Sequence, residues 1–131
     1  MSIVPLYASI LALLFMVLSI RTVQMRRRFK IGIGDAGNNA MLRAMRVHSN
    51  FAEYVPLSLL LIFFVEMAGA SLLLVHGLAW CLLLGRASHA FGVSQIRENY
   101  RFRVFGITMT FAVLIAASFY LLYSYASRSV A

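Results

Sequence analysis

The sequence predicts an all-α integral membrane protein, a bundle of four helices in one domain over residues 1–131. The mean hydropathy is +0.84. Hydrophobic residues make up 62% of the chain and charged residues only 12%, whereas soluble domains carry about 25% charged residues. The apolar residues form four runs near the length of about 20 residues that a helix needs to cross a bilayer. The net charge of +8 comes from residues between these runs, so we interpret it as a membrane signal and expect no nucleic-acid partner.

The first span is predicted over residues 3–20, which contain no charge. A cleaved signal peptide is the alternative, and it would carry basic residues before its apolar run. Here they follow the run, at Arg21 and in the stretch 26–30 (Arg-Arg-Arg-Phe-Lys). We therefore predict a retained helix with its N-terminus outside the cell, and we interpret the stretch 26–30 mainly as an orientation signal.

The second span is predicted over residues 51–65, in a helix that extends N-terminally to about residue 39. A stretch rich in turn-forming residues precedes it, and Asp35 or Asn38 is the predicted N-terminal cap. Pro56 predicts a kink. Residues 66–71 are predicted to form a short outer turn in which Glu66 faces solvent.

The third and fourth spans are predicted over residues 72–93 and 104–125, joined by a basic connection over 95–103. Seven of the twelve basic residues lie between Arg21 and Arg46, and four more lie around the third-to-fourth connection, at Arg86, Arg97, Arg101 and Arg103. Because positive connections stay in the cytoplasm, we expect both termini on the periplasmic side and both basic connections on the cytoplasmic side. The single cysteine, Cys81, cannot form an internal disulfide.

One face of the second helix carries the candidate site. Its polar residues follow the spacing i, i+3, i+7, i+10, i+11, at Arg43, Arg46, Asn50, Glu53 and Tyr54. Ionisable side chains at such a depth mark either a site or a paired network. Arginine binds carboxylates, glutamate suits an ammonium group, and an amide donates and accepts, so the face predicts a zwitterionic ligand with excess negative charge. The alternative is that Glu53 only neutralises an arginine and holds the helices together.

Three other groups of polar residues lie near this end. His48 points off the candidate face, so packing or snorkelling is favoured unless it reaches a neighbouring protomer. Arg86 either finds a partner in the bundle or snorkels, with His89 one turn away. Residues 97, 101 and 103 are arginines that we interpret as a solvated or headgroup-binding cluster, with one turned inward.

Ser88 and Gly92, at i and i+4, predict close helix packing. Other patterns in the sequence disfavour metal, haem and dinucleotide sites. No cysteine or histidine pair has zinc spacing, so no metal is expected. Haem ligation by two of the three histidines is disfavoured, because His76 lies near the outer end of its span. The glycines at 32 and 34 do not follow a strand, so they do not form a dinucleotide loop.

The segment 43–56 resembles the signature of the MAPEG family, membrane-associated proteins in eicosanoid and glutathione metabolism. The family pattern is R-A-x-R-x-x-x-N-x-x-E-x-x-P. The matching residues here are Arg43, Ala44, Arg46, Asn50, Glu53 and Pro56. The similarity covers nearly the whole chain, including the basic run after the first span and the arginine that opens the fourth.

The resemblance implies a homotrimer of four-helix protomers in the bacterial inner membrane. It implies that glutathione, as co-substrate, binds between neighbouring protomers at their cytoplasmic halves. The implied tripeptide-holding residues are Arg46, Asn50, Glu53 and Tyr54, joined by His48 of the adjacent protomer. The second helix also offers Arg43 to the ligand, and the third offers Arg86 and His89.

The resemblance also implies catalytic roles for two arginines. Arg27 is similar in placement to an arginine that acts on the second substrate. Arg103 is similar to one placed over the thiol, with Arg101 close enough in register to compete. The sequence departs from the family at Val93, where several animal members carry a tyrosine that touches glutathione.

The function expected from these observations is that of a glutathione transferase or peroxidase acting on lipophilic electrophiles that arrive through the bilayer. A non-catalytic binding or assembly protein of the same fold is the main alternative. A small multidrug exporter is the third, and it is disfavoured because residues 3–20 contain no carboxylate.

Overall fold

The computed structural model describes residues 2–129 and contains four helices. They are α1 (Val4–Phe29), α2 (Asn39–Met67), α3 (Leu72–Ser94) and α4 (Tyr100–Ser129). Each is long and apolar enough to cross a membrane, and residues 2–129 contain no strand. The predicted all-α membrane bundle is confirmed.

The helices extend beyond the apolar runs from which they were predicted. α1 continues to Phe29 and α4 begins at Tyr100, because backbone hydrogen bonding does not stop where the apolar sequence stops. The basic run therefore forms the last turn of α1, where positive charge complements the carbonyl end of the helix dipole. Arg101 and Arg103 lie in the first turn of α4, and α2 continues as a helix through Pro56.

The connection between α1 and α2 is built from local hydrogen bonds. Lys30 follows the last residue of α1 as its C-terminal cap and takes a left-handed φ of 55°. Asn38 caps α2, since its side chain accepts a hydrogen bond of 3.0 Å from the Met41 amide. Asp35, the other predicted cap, accepts from the Gly37 amide at 3.1 Å and stabilises the turn.

Glu66 was predicted to be solvated in the outer turn, but it lies in the last turn of α2 and is half-buried. Its carboxylate accepts hydrogen bonds from the backbone amides of Ile3 and Val4 and from the Ser2 hydroxyl. Amides in the first turn of a helix have no partner within the helix, and a carboxylate there also complements the dipole. Glu66 therefore caps α1 from the end of α2.

Three glycines bring α3 and α4 close together. A Cβ at Gly106 would lie 2.5 Å from the Gly85 carbonyl oxygen, and one at Gly92 would lie 2.8 Å from the Phe102 Cβ. The Ser88 hydroxyl donates to the Phe102 carbonyl at 3.0 Å. The close packing predicted from Ser88 and Gly92 is confirmed, and the contact sets the position of the α3–α4 connection.

The four helices bury a small apolar core and leave an apolar surface. Leu11, Ile62 and Leu82 are fully buried between helices. Large apolar side chains such as Leu73 and Phe119 are exposed on the outside of the protomer, as expected for a surface that faces lipid chains.

Candidate functional site

Basic residues of all four helices meet at one end of the bundle, which we call the basic end, whereas Arg128 lies at the opposite end and donates to the Ala68 carbonyl. The Arg21 guanidinium of α1 donates to the hydroxyl and the carbonyl of Ser94 at the end of α3. The Arg43 guanidinium of α2 donates to the Val93 carbonyl at 3.2 Å. These bonds join the end of α1 and the beginning of α2 to the α3–α4 connection.

The predicted polar face of α2 divides into two edges. Its inner edge, formed by Arg43, Asn50 and Tyr54, points toward α3 and α4. Arg43 binds Val93 and Glu98, and the Tyr54 ring packs against Phe111 with ring centres 5.6 Å apart. The inner edge is thus engaged within the protomer.

The outer edge of this face consists of Arg46 and Glu53, which are both exposed. They are seven residues apart, which is two turns or about 10 Å along the helix axis. Within residues 2–129, neither side chain has a hydrogen-bond or ion-pair partner. Glu53 therefore does not neutralise Arg46 in this chain, which excludes one form of the alternative interpretation of this face.

Arg86 is fully buried among neutral partners. Its guanidinium donates to the Asn50 side-chain oxygen at 2.6 Å and to the Thr110 hydroxyl at 3.2 Å, and it lies 5.9 Å from the centre of the Phe51 ring. Its Nε has no partner in the part of the chain that is described. Arg86 does not snorkel, and it holds the inner edge of α2 against α3 and α4.

The Asn50 amide takes its orientation from this contact. Because arginine only donates, the amide oxygen must face Arg86, and the Asn50 NH₂ group is the one left for other partners. His89, one turn beyond Arg86, is 5% exposed. Its Nδ1 has no hydrogen-bond partner in the described range 2–129.

Glu98 is a site residue that the sequence analysis missed. Its side chain is 6% exposed and forms ion pairs with Arg43 at 2.9 Å and with Arg103 at 3.4 Å. Burial alone would raise the pKa of the Glu98 carboxyl. The hydrogen bonds from Arg43 and Arg103 and the charges of both arginines outweigh burial and hold the pKa below its ordinary value of 4.5.

A pocket of about 170 Å³, which we call the arginine pocket, lies around these ion pairs. Its lining residues are Asn39, Leu42, Arg43, Arg46, Val93, Glu98 and Arg103. Three guanidiniums against one carboxylate leave an excess of positive charge, so the pocket suits an anion. Arg101 does not line this pocket and its side chain is exposed. Of the two competing arginines, the structure brings Arg103 to the site.

Arg27 lines a different hollow, on the side of α1, and His48 contacts Ser19 of the same hollow. The His48 ring stacks on Phe15 with ring centres 4.8 Å apart, and its Nε2 lies 3.1 Å from the Ser19 hydroxyl. Ser19 and Arg27 line a hollow of about 340 Å³ whose other walls are Met16, Ile20, Val23 and Gln24. The structure does not bring these two predicted site residues to the arginine pocket.

Residues 2–129 contain no group of three or more histidine, cysteine, aspartate or glutamate side chains that could hold a metal ion. The polar groups that line the pocket at the basic end are guanidinium, carboxylate and amide groups. They can bind and orient an anionic ligand and stabilise negative charge.

Comparison with known proteins agrees with this architecture. Residues 4–123 match the model of the MAPEG family. The inner membrane protein YecN of Escherichia coli strain K12 is 36% identical over 110 residues, which cover 84% of this chain and 82% of YecN. YecN of E. coli O6:H1 matches to the same extent. No solved structure matches the chain.

Proposed function

This chain belongs to the MAPEG family and is a multi-pass protein of the bacterial inner membrane, and we propose that it binds glutathione and acts as a transferase or peroxidase on lipophilic electrophiles. The observation that carries the proposal is the pair Arg46 and Glu53, exposed and unpaired among the described residues on a membrane-spanning helix. Charged groups in that setting need a partner. Here the partner is a ligand with groups of both signs.

Glutathione has the groups that these residues would bind. It carries two carboxylates, one ammonium and a thiol. The guanidinium of Arg46 would hold a carboxylate, Glu53 would hold the ammonium, and the NH₂ group of Asn50 would donate to an acceptor atom. The excess positive charge of the pocket favours a peptide whose net charge is negative.

The pocket of a single protomer is too small for the whole tripeptide. Small-molecule sites usually have about 300–1,000 Å³, and this pocket has about 170 Å³. We therefore propose that a neighbouring protomer covers the rest of the ligand, in the homotrimer implied by the family. Arg46 and Glu53 would then be desolvated only in the assembly, which would strengthen their contacts with the ligand.

The reaction would proceed through the thiolate of glutathione. A cysteine thiol has an ordinary pKa of about 8.5, and lowering it by about two units requires about 2.7 kcal/mol of preferential thiolate stabilisation. Arg103, at the rim of the pocket, is the proposed source of that stabilisation. The thiolate would attack the electrophile, forming a carbon–sulfur bond as the leaving group departs.

The hollow beside Arg27 is the proposed entry for the second substrate. Its apolar walls, Met16, Ile20 and Val23, are exposed on the surface of α1, so an apolar electrophile could reach it from the bilayer. Arg27 would stabilise negative charge that develops on that substrate. The basic end would face the cytoplasm, because positive connections stay on that side.

Glutathione binding is the test of this proposal. Calorimetry on detergent-purified protein should detect glutathione binding at millimolar concentration, and Glu53→Gln should weaken it by about tenfold or more, since it removes the partner of the ammonium group. Glu66→Gln, at the opposite end of the bundle, is the matched control and should bind normally. Absence of binding to the wild-type protein would contradict the proposal.

A second candidate function is a binding protein of the same fold that does not turn over. Two observations favour it. The family resemblance places Val93 where several animal members carry a tyrosine, and Glu98 partly neutralises Arg103. The discriminating assay is thioether formation from glutathione and a chloronitrobenzene. Turnover that is lost in Arg103→Ala would reject the second candidate, and binding without turnover would support it.

A further inference from the structure

In the connection between α3 and α4, residues 95–99, the side chain of Glu98 is the one that reaches α2. Ile96 is 71% exposed and Arg97 is exposed as well, whereas the Glu98 side chain is 6% exposed. Glu98 lies in the arginine pocket and reaches across to α2, where it meets Arg43. The carboxylate therefore connects an otherwise exposed segment to the candidate site.

Both oxygens of this carboxylate are engaged. Oε2 accepts from Arg43 at 2.9 Å, and Oε1 accepts from Arg103 at 3.4 Å. A carboxylate of a bound ligand would need the same guanidinium hydrogens. Glu98 thus occupies the position in the pocket that an anionic ligand would take.

We propose that Glu98 is a latch: its carboxylate keeps the arginine pocket closed and is displaced by the ligand. The inference rests on the proposed function, since it concerns regulation of the same pocket. A ligand carboxylate takes over Arg43, Glu98 moves out and releases Arg103, and the connection lifts with it. The pocket of about 170 Å³ enlarges as this happens, and Arg103 becomes free to stabilise a thiolate. Ligands without a carboxylate leave the latch closed, so Glu98 also determines specificity.

Two charge-matched variants test the latch by glutathione calorimetry. Glu98→Gln removes the competing charge and keeps the size of the side chain. Asp35→Asn makes the same change of net charge at the same end of the bundle, in a turn outside the pocket. The latch predicts that Glu98→Gln lowers the Kd for glutathione by about threefold to tenfold, while Asp35→Asn leaves it unchanged.

Two other results would overturn the proposal. An unchanged Kd in Glu98→Gln would mean that Glu98 does not obstruct the ligand. A raised Kd would mean that Glu98 belongs to the ligand's own site, as the partner of its ammonium group. Should Glu98→Gln fail to fold, Glu98→Asp replaces it. Its shorter side chain cannot reach both arginines, so the Kd should again fall, and an unchanged or raised Kd would overturn the latch in the same way.

Amide hydrogen exchange separates failure of the latch from failure of the proposed function. The latch predicts faster exchange of residues 95–99 in Glu98→Gln than in Asp35→Asn, with no glutathione present. Equal exchange in the two variants would reject the latch even if glutathione binds. Faster exchange in Glu98→Gln, together with no glutathione binding to any variant, would support the latch and reject glutathione as the ligand.

Discussion

Replacing Gly106 with alanine tests the contact between α3 and α4 that positions Arg103 and the connection carrying Glu98. The added Cβ would lie 2.5 Å from the Gly85 carbonyl oxygen and 2.7 Å from the His89 Cβ and amide nitrogen. Ordinary contacts between such atoms are about 3.5–4.0 Å. The Gly85 and His89 atoms belong to the backbone or are attached directly to it, so no side-chain rotation can relieve the overlap, and the two helices must separate by about 1 Å.

The expected loss of stability follows from two opposing terms. Overpacking costs about 1–3 kcal/mol, and the backbone contacts put Gly106→Ala near the upper end. Alanine in place of glycine in a helix raises the free energy of unfolding by about 1 kcal/mol, because alanine has the higher helix propensity. We therefore expect the free energy of unfolding to fall by about 2 kcal/mol.

Gly77→Ala is the matched control for this prediction. Gly77 is also helical, lies in α3 and has no neighbour within 4 Å of an added Cβ. Its replacement should leave stability unchanged or raise it by up to about 1 kcal/mol. The assay is unfolding of both variants in mixed detergent with increasing dodecyl sulfate, followed by far-ultraviolet circular dichroism. If Gly106→Ala were as stable as Gly77→Ala, the close approach of α3 and α4 would be refuted.

Two further predictions concern the carboxylates of Glu66 and Glu98. Glu66→Ala removes the acceptor for the Ile3 and Val4 amides at the beginning of α1. In the same unfolding assay it should lower the free energy of unfolding by about 1 kcal/mol. An unchanged free energy of unfolding would show that Glu66 does not cap α1. The lowered pKa of Glu98 means that its ionised form stabilises the folded protein above its ordinary value of 4.5, and that this stability is lost as the pH falls through the folded pKa. The melting temperature of the wild-type protein should therefore fall more between about pH 7 and about pH 4 than that of Glu98→Gln, and parallel curves would contradict the ion pairs.

The four spans and the polar face of α2 were predictable because they depend on local sequence. A bilayer requires a minimum apolar length, and a helix brings residues three, four and seven apart onto one face. Both rules need only the residues within one helix, so they can be applied without knowing how the helices pack. The Asn38 cap and the close packing at Gly92 follow from similarly local patterns.

The partners of the charged residues were not predictable in this way. Glu98 lies between Arg97 and Asn99 in a polar connection, so its sequence context is typical of a solvated residue. Its contact with Arg43 spans 55 positions. Glu66 was predicted to be solvated for the same reason, and its partners at the beginning of α1 are more than 60 positions away.

Sequence alone determined that this protein is a four-helix membrane bundle with most of its positive charge at one end, because hydropathy and charge can be evaluated over short stretches of the chain. Only the tertiary structure decided which side chains of the α2 face turn inward. Arg43 and Asn50 meet partners on α3 and its connection to α4, whereas Arg46 and Glu53 remain exposed. Helical periodicity places all four on one face, but which edge is covered depends on where the other helices pack, and that is set by contacts between distant parts of the chain.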